Sequence, residues 1–194
     1  MPELIYAAAL GYLLGSIPFG LLLTRMFGAG DLRAIGSGNI GATNVLRTGR
    51  RELAAATLLL DLAKALAAVL VARAAWPGSE VFAGAAAVIG HCFPIWLRFK
   101  GGKGVACMMG VALGLAWPIG LTYAVVWLGV LALTRISSLG GMAAAISAPI
   151  AALAIGRGDY AAVLALLCLL ILWLHRENIA RLRKGTEPRV GSKA

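Results

Sequence analysis

Residues 31–51, DLRAIGSGNIGATNVLRTGRR, form the longest polar interval between the first and last apolar segments of the chain. Glycines at 36, 38, 41 and 49 are interleaved with Ser37, Asn39, Thr43 and Asn44, and Arg47, Arg50 and Arg51 close the stretch. Glycine lets backbone N–H groups come close to a ligand, and arginine adds charge and a planar fork of donors. This is the chemistry of an anion site. Ser37 can donate to a phosphate oxygen or hold an attacking hydroxyl. Arg47 can make a two-pronged phosphate contact. Gly38 and Asn39 belong to the same candidate ligand set, and Asn44 is a candidate for its support. The G-x-G-x-x-G spelling of 36–41 follows an apolar helix rather than a strand, so a dinucleotide fold is rejected.

A second cluster, Arg98-Phe99-Lys100-Gly101-Gly102-Lys103-Gly104, is reached through Gly90-His91-Cys92-Phe93-Pro94. It is not a Walker A loop: Leu97 stands where the first glycine belongs, and Gly104 where Ser or Thr would hold magnesium. A Gly-Gly-Lys-Gly turn opening a helix at Val105 still makes an anion site, because N–H groups, helix dipole and Lys103 point one way. Gly101, Gly102 and Lys103 therefore join the ligand set, whereas Arg98 and Lys100 read as ordinary topology charges. A third cluster is His175-Arg176-Glu177-Asn178, with His175 and Asn178 three apart on one helix face. A histidine at a membrane edge is either interfacial packing or, with this asparagine, half of a polar ligand site. The fourth pair, Asp61 and Lys64, has the same spacing inside an apolar segment. Charge buried in a membrane is costly, so the two pair with each other or face a polar cavity. With His91 and Asn44 they are structural or secondary candidates.

The elements that must hold these clusters are apolar helices. Of 194 residues, 60% are hydrophobic and 13% charged, against roughly 25% charged in a soluble domain. Mean hydropathy is +0.86. The apolar runs are long and do not alternate, so an all-α integral membrane protein is expected, not a barrel. It reads as a single domain, 1–194, with polar loops at about 31–51, 98–104 and 135–138 and a tail at 176–194. Seven apolar segments can be drawn: 4–24, 53–76, 81–97, 105–117, 119–134, 139–155 and 160–175. The N-terminal MPELIYAAAL lacks a basic n-region and a cleavage site, so the first segment is expected as a retained span.

Pro118 and Gly120 alone separate segments four and five, which leaves six or seven spans. Charge decides. With seven spans and the N-terminus outside, Arg25, Arg33, Arg47, Arg50, Arg51, Arg98, Lys100, Lys103, Arg135 and the basic tail share one side. That side then holds 15 of the 18 Lys and Arg, as the positive-inside rule requires of the cytoplasm. The same rule accounts for the net charge of +10, so no nucleic-acid partner is expected. Cys92, Cys107 and Cys168 are widely spaced in apolar surroundings, and the two histidines fall in different segments. No disulfide framework, metal cluster or cofactor is expected.

Five motifs occur in order: SIPFG at 16–20, GSGNIGATNVLRTGR at 36–50, DLAK at 61–64, GHCFPIWLRFKGGKGVA at 90–106 and HRENIARLRKGTEPRVG at 175–191. Together they resemble the bacterial acyl-phosphate:glycerol-3-phosphate acyltransferase family over essentially the whole chain. The resemblance implies transfer of an acyl group from acyl phosphate to the 1-hydroxyl of sn-glycerol 3-phosphate. The products would be lysophosphatidic acid and phosphate, in the first step of phospholipid synthesis. It implies seven membrane helices in a bacterial inner membrane and an active site facing the cytoplasm. Acyl-CoA and acyl carrier protein are not implied as direct donors. Carried over residue by residue, Ser37, Lys103 and His175 are the catalytic candidates. Arg47, Ser138 and Asn178 join Gly38, Asn39, Gly101 and Gly102 in contacting substrate.

Two departures stand out. Ala65 replaces the glycine of the family's DxxKG, and Ser138-Leu139-Gly140-Gly141 keeps only the first serine of Ser-Leu-x-Ser. The His-x4-Asp dyad of many glycerolipid acyltransferases is absent, since Trp96 and Ala180 stand five residues after His91 and His175. An acyl phosphate is already activated, so direct attack without a covalent acyl-enzyme is expected. The base is then His175 or the donor's own phosphate. The alternative from another class is a transporter or flippase of a phosphorylated molecule, against which the nearly bare outer connections count.

Overall fold

Pro18 has no backbone N–H and cannot continue a helix. The computed structural model, which describes residues 1–191, breaks the first apolar segment there into α1 (Pro2–Gly15) and α2 (Phe19–Met26). The break leaves the Ile17 carbonyl outside any helix, and Lys64 Nζ takes it at 2.7 Å. The polar loop that follows holds a 3-10 turn, Leu32–Ala34, and one short α-helix, α3 (Ala42–Leu46). Then come α4 (Arg51–Ala75), α5 (Glu80–Cys92), α6 (Val105–Leu115), α7 (Trp117–Thr134), α8 (Ser137–Ala154), α9 (Gly158–Leu174) and α10 (Arg176–Arg183). Among the described residues there is no strand. The end of the expected tail, 192–194, lies outside the described residues.

Small residues decide which helices touch. A Cβ at Gly11 would fall 2.1 Å from the Ala83 carbonyl oxygen, and one at Gly15 2.1 Å from that of Ala87. So α1 and α5 meet backbone to backbone, as glycine and alanine permit in membrane bundles. Gly110 of α6 does the same against Leu62 of α4, at 2.1 Å. On the other side α7 packs on α8, and α8 on α9. The shared core includes Val69, Val88, Met108, Val111, Tyr123, Ala148, Leu164 and Ile171. Ala65, where the family has glycine, is fully buried in that core, so its methyl fills space rather than blocking a contact.

The outward face is greasy: Leu59, Phe82, Val125, Leu128, Leu133, Ile150, Leu166 and Leu169 are all exposed. A soluble protein rarely shows so much contiguous apolar surface, whereas a bilayer covers it. Among the described residues, five helical stretches are long and apolar enough to cross, or six if α9 and α10, bent by 59°, count together. The protein is a multi-pass helical membrane protein. Segments four and five are separate helices, because the chain is extended at Ala116 and Pro118 sits in the first turn of α7. The 11 residues of α6 reach only about 16 Å at 1.5 Å per residue. This short helix is enclosed by its neighbours, and the Tyr123 hydroxyl donates to its Val105 carbonyl at 3.0 Å.

Candidate active site

The loop at 31–51 is folded around one side chain. Asn44, 2% exposed, donates through Nδ2 to the Leu32 and Ile35 carbonyls at 3.0 and 2.9 Å. Its Oδ1 accepts from the Ser37 N–H at 3.2 Å, the Ser37 hydroxyl at 3.4 Å and Arg47 Nη1 at 3.3 Å. Gly36 and Gly38 have φ of +54° and +68°, conformations that a side chain resists. A Cβ at Gly36 would also meet Arg47 Nη1 at 2.6 Å. Asn44, a structural or secondary candidate from its sequence position, sits at the centre of the loop's side-chain hydrogen bonds. Asn44→Ala would take one bond from each of two carbonyls, which keep the Ile35 and Gly38 N–H groups, and would leave the Ser37 N–H without its acceptor; each bond is worth about 1 kcal/mol. We expect a loss of about 2–3 kcal/mol, read as a lower thermal midpoint in detergent, with Asn44→Asp intermediate because it keeps the acceptor side. An unchanged midpoint for Asn44→Ala would remove the residue from this role.

Asn39 ties this loop to the next. Its Oδ1 accepts from the Gly41 N–H at 2.9 Å, and its Nδ2 donates to the Gly101 carbonyl at 3.3 Å. At the second loop one expectation needs correction. The Gly101 N–H donates to the Cys92 carbonyl at 3.0 Å and the Gly102 N–H to the His91 carbonyl at 2.9 Å. These two amides fold the turn back onto the end of α5 and are not offered to a ligand. Their glycines are needed for closeness: a Cβ at 101 would lie 2.1 Å from the His91 carbonyl oxygen. The turn then passes through Gly104, at φ +84°, into α6. What it offers the groove is Lys103.

Lys103 Nζ donates to Asn178 Oδ1. Burial, aided by the neighbouring Arg181, pulls the Lys103 pKa below the ordinary lysine value of 10.5, while Glu177 and Glu187 pull the other way. Asn178 in turn donates to Glu187 Oε1 at 2.5 Å, Ser138 to the same oxygen at 2.6 Å, and Arg181 Nε to Oε2 at 2.6 Å. Burial opposes the Glu187 charge, yet these three donors hold its carboxyl below its ordinary range. Glu187 was not among the residues singled out from sequence. Its only signal there was a lone carboxylate in the turn-prone GTEPRVG stretch. Ser138, expected as a ligand contact, is committed to it. A Cβ at Gly141 would lie 2.9 Å from Val105 Cγ2, so a second serine at this position would need the Val105 side chain to shift. His175, 4% exposed, bonds the Ile171 carbonyl through Nδ1 at 2.8 Å, which leaves Nε2 as the acceptor.

The three clusters meet at an open groove of about 200 Å³. Ser37, Gly38 and Asn39 form one wall, Lys100, Gly101 and Lys103 a second, and Leu174, Arg176, Glu177 and Arg181 the third. Four cations face one carboxylate, so the groove favours an anion. Arg47 connects to this lining through Asn44, which also bonds Ser37, and Asn178 through Lys103, whereas Ser138, His175, Asp61, Lys64 and His91 are not part of it.

A family model described as glycerol-3-phosphate acyltransferase matches residues 5–185. The chain belongs to the glycerol-3-phosphate acyltransferase family. It is an acyltransferase rather than a transporter. Family members similar to it include the glycerol-3-phosphate acyltransferases of Novosphingobium aromaticivorans, 72% identical over 98% of this chain and 97% of that one, and of Maricaulis maris, 61% identical over 96% and 87%. A crystal structure of PlsY, an integral membrane glycerol 3-phosphate acyltransferase, in its glycerol 3-phosphate form matches with a TM-score of 0.91. It is 36% identical and covers 97% of this chain and 96% of that one. The lysophosphatidic acid form gives 0.89 at 35% identity, over 97% and 95%. The acyltransferase therefore shares its helix arrangement with structures captured with a small phosphate ester and with a lipid.

Proposed function

We propose that this acyltransferase moves the acyl group of an acyl phosphate onto the C1 hydroxyl of sn-glycerol 3-phosphate. The hydroxyl oxygen attacks the acyl carbonyl carbon, the carbon–oxygen bond to phosphate breaks, and phosphate and lysophosphatidic acid leave. The observation that carries this reading is the groove itself: four cations against one carboxylate, assembled from three separate clusters. The relatives' names and the two forms of PlsY agree with it. A mixed anhydride needs no covalent acyl-enzyme, so positioning and charge stabilisation supply most of the rate. Lys103 meets phosphate charge, Ser37 and Arg47 orient the ester, and the acyl chain enters from the bilayer. The proton goes to His175 Nε2 or to the departing phosphate, and the missing dyad favours the phosphate. Neither acyl-CoA nor acyl carrier protein would serve as donor.

In the membrane we place all seven segments as crossings, with α6 a short one sheltered by its neighbours. The N-terminus lies outside and the groove faces the cytoplasm of a bacterial inner membrane, on the side that carries 15 of the 18 Lys and Arg. The test is phosphate release from acyl phosphate by detergent-purified protein, with and without glycerol 3-phosphate. Release that depends on glycerol 3-phosphate and yields lysophosphatidic acid is expected. If well-folded protein uses acyl-CoA and ignores acyl phosphate, the donor assignment fails.

A further inference from the structure

Under the Gly101–Lys103 turn lies a polar cluster sealed from the groove and from lipid. Asp61, Lys64 and His91 are 3%, 5% and 4% exposed. Lys64 Nζ reaches Asp61 Oδ1 at 2.6 Å, the Ile17 carbonyl at 2.7 Å and His91 Nδ1 at 3.1 Å. Three N–H groups meet three acceptors drawn from α4, α5 and the break between α1 and α2. Asp61, His91 and Cys107 also bring an oxygen, a nitrogen and a sulfur within 4.8 Å of one another, the makings of a metal site. The ammonium of Lys64 already stands beside that carboxylate and that ring, so the cluster holds its own cation.

An ammonium has no lone pair to accept with, so His91 Nδ1 must accept and the ring proton sits on Nε2. That nitrogen faces Gly102 so closely that a Cβ at 102 would fall 1.9 Å from it. The Gly102 N–H also binds the His91 carbonyl. The turn is therefore pressed against the His91 ring on one side and bonded to the His91 backbone on the other. The next residue is Lys103. A trio of buried ionic groups is a costly way to fill space, since apolar residues of similar volume often do as well or better. A fixed ring height is something apolar packing supplies less well.

We propose that Asp61, Lys64 and His91 are positioning residues. The ammonium locks the His91 ring, the ring sets the height of Gly102, and that height sets the reach of Lys103 toward the phosphate of glycerol 3-phosphate. The inference rests on the groove being the glycerol 3-phosphate site. His91→Asn keeps an acceptor near the Nδ1 position for Lys64 and removes the ring from beneath Gly102. Gly102→Ala adds a methyl where the ring already is. Misplacing a binding group by about 1 Å can cost up to 10²-fold, so each variant is expected to raise KM for glycerol 3-phosphate about tenfold or more with a smaller change in kcat. The double variant, whose smaller side chain at 91 makes room for the methyl, is expected to recover most of the Gly102→Ala loss.

The second readout needs no substrate. Competitive amine labelling against pH reports the Lys103 pKa directly. Loosening the turn hydrates Lys103, so in His91→Asn its midpoint moves up toward the ordinary lysine value. Should His91→Asn fail to fold, His91→Gln enters the same cycle. The proposal falls if wild type is active and His91→Asn keeps both its KM and its Lys103 midpoint, or if the two substitutions combine with no recovery. If labelling shifts as expected while wild type ignores glycerol 3-phosphate, the positioning network stands and the substrate reading is what fails.

Discussion

Replacing Lys103 with alanine is expected to lower kcat/KM for glycerol 3-phosphate by about 10²–10³-fold, mainly through KM, since removing one partner of a hydrogen-bonded charge pair costs about 2–5 kcal/mol. Lys103 is half-buried between two glycines and aimed from the start of α6, with Asn178 fixing its Nζ. The other groove cations cannot stand in for it. Arg181 is bonded to Glu187, and Lys100 and Arg176 are exposed, with Arg176 stacked over Trp173 at 4.7 Å. A hydrated surface charge is screened, whereas a partly desolvated one is not.

The pH profile separates this role from a packing role. The required form is the cation, and burial has lowered the Lys103 pKa below 10.5. Wild-type activity should therefore fall on the alkaline side before an ordinary lysine would titrate. Lys103→Arg cannot deprotonate in that range, so whatever activity it retains should lack this alkaline fall. An alanine variant whose kcat/KM stays within threefold of wild type would end the assignment, and so would an arginine variant with an unchanged alkaline limb.

Hydropathy made the helices legible because each apolar segment must hide its own backbone polar groups. Pro118 was legible as an interruption, whereas Pro18, inside the segment drawn unbroken over 4–24, was not, and the structure breaks the helix there. The loop residues that carry donors, Ser37, Asn39 and Lys103, stood out as polar residues with no solvation purpose in a membrane chain, and they do meet at the groove. What sequence could not reveal is where a backbone N–H goes. Gly101 and Gly102 looked like an anion cradle until the turn folded onto Cys92 and His91. Nor could it pair residues across distant segments. Glu187 acts because Ser138, 49 residues earlier, reaches the same carboxylate as Asn178, and no local pattern encodes that meeting. The Asp61–Lys64 spacing announced an ion pair, while its third partner, His91, lies 27 residues beyond Lys64.

Glu187→Ala is expected to release the tail and with it the back of the site. The carboxylate, with its side chain 6% exposed, joins Arg181 to Ser138 and Asn178, and the Val190 N–H nearby closes onto the Arg135 carbonyl at 2.7 Å. Removing one partner of a largely buried charged pair costs about 3–5 kcal/mol. The exposed flank of Arg181 puts this case at the lower end, so we expect about 3 kcal/mol. Amide exchange at Val190 should then quicken about 10²-fold, since each 1.4 kcal/mol of lost protection is tenfold and the opening is local. Asn178 loses its anchor at the same stroke, so Lys103 loses its partner and activity falls with it. Acid should mimic the substitution. The Glu187 pKa is lowered in the folded protein, from an ordinary 4.5, so its stabilisation is complete above that value. It drains away as pH falls through the lower, folded pKa. The clasp should hold at pH 5 and open only at pH values below about 4.5, and Glu187→Gln should show no such acid step. Val190 exchange that is equally slow in wild type and Glu187→Ala would mean that the tail is held by something other than this carboxylate.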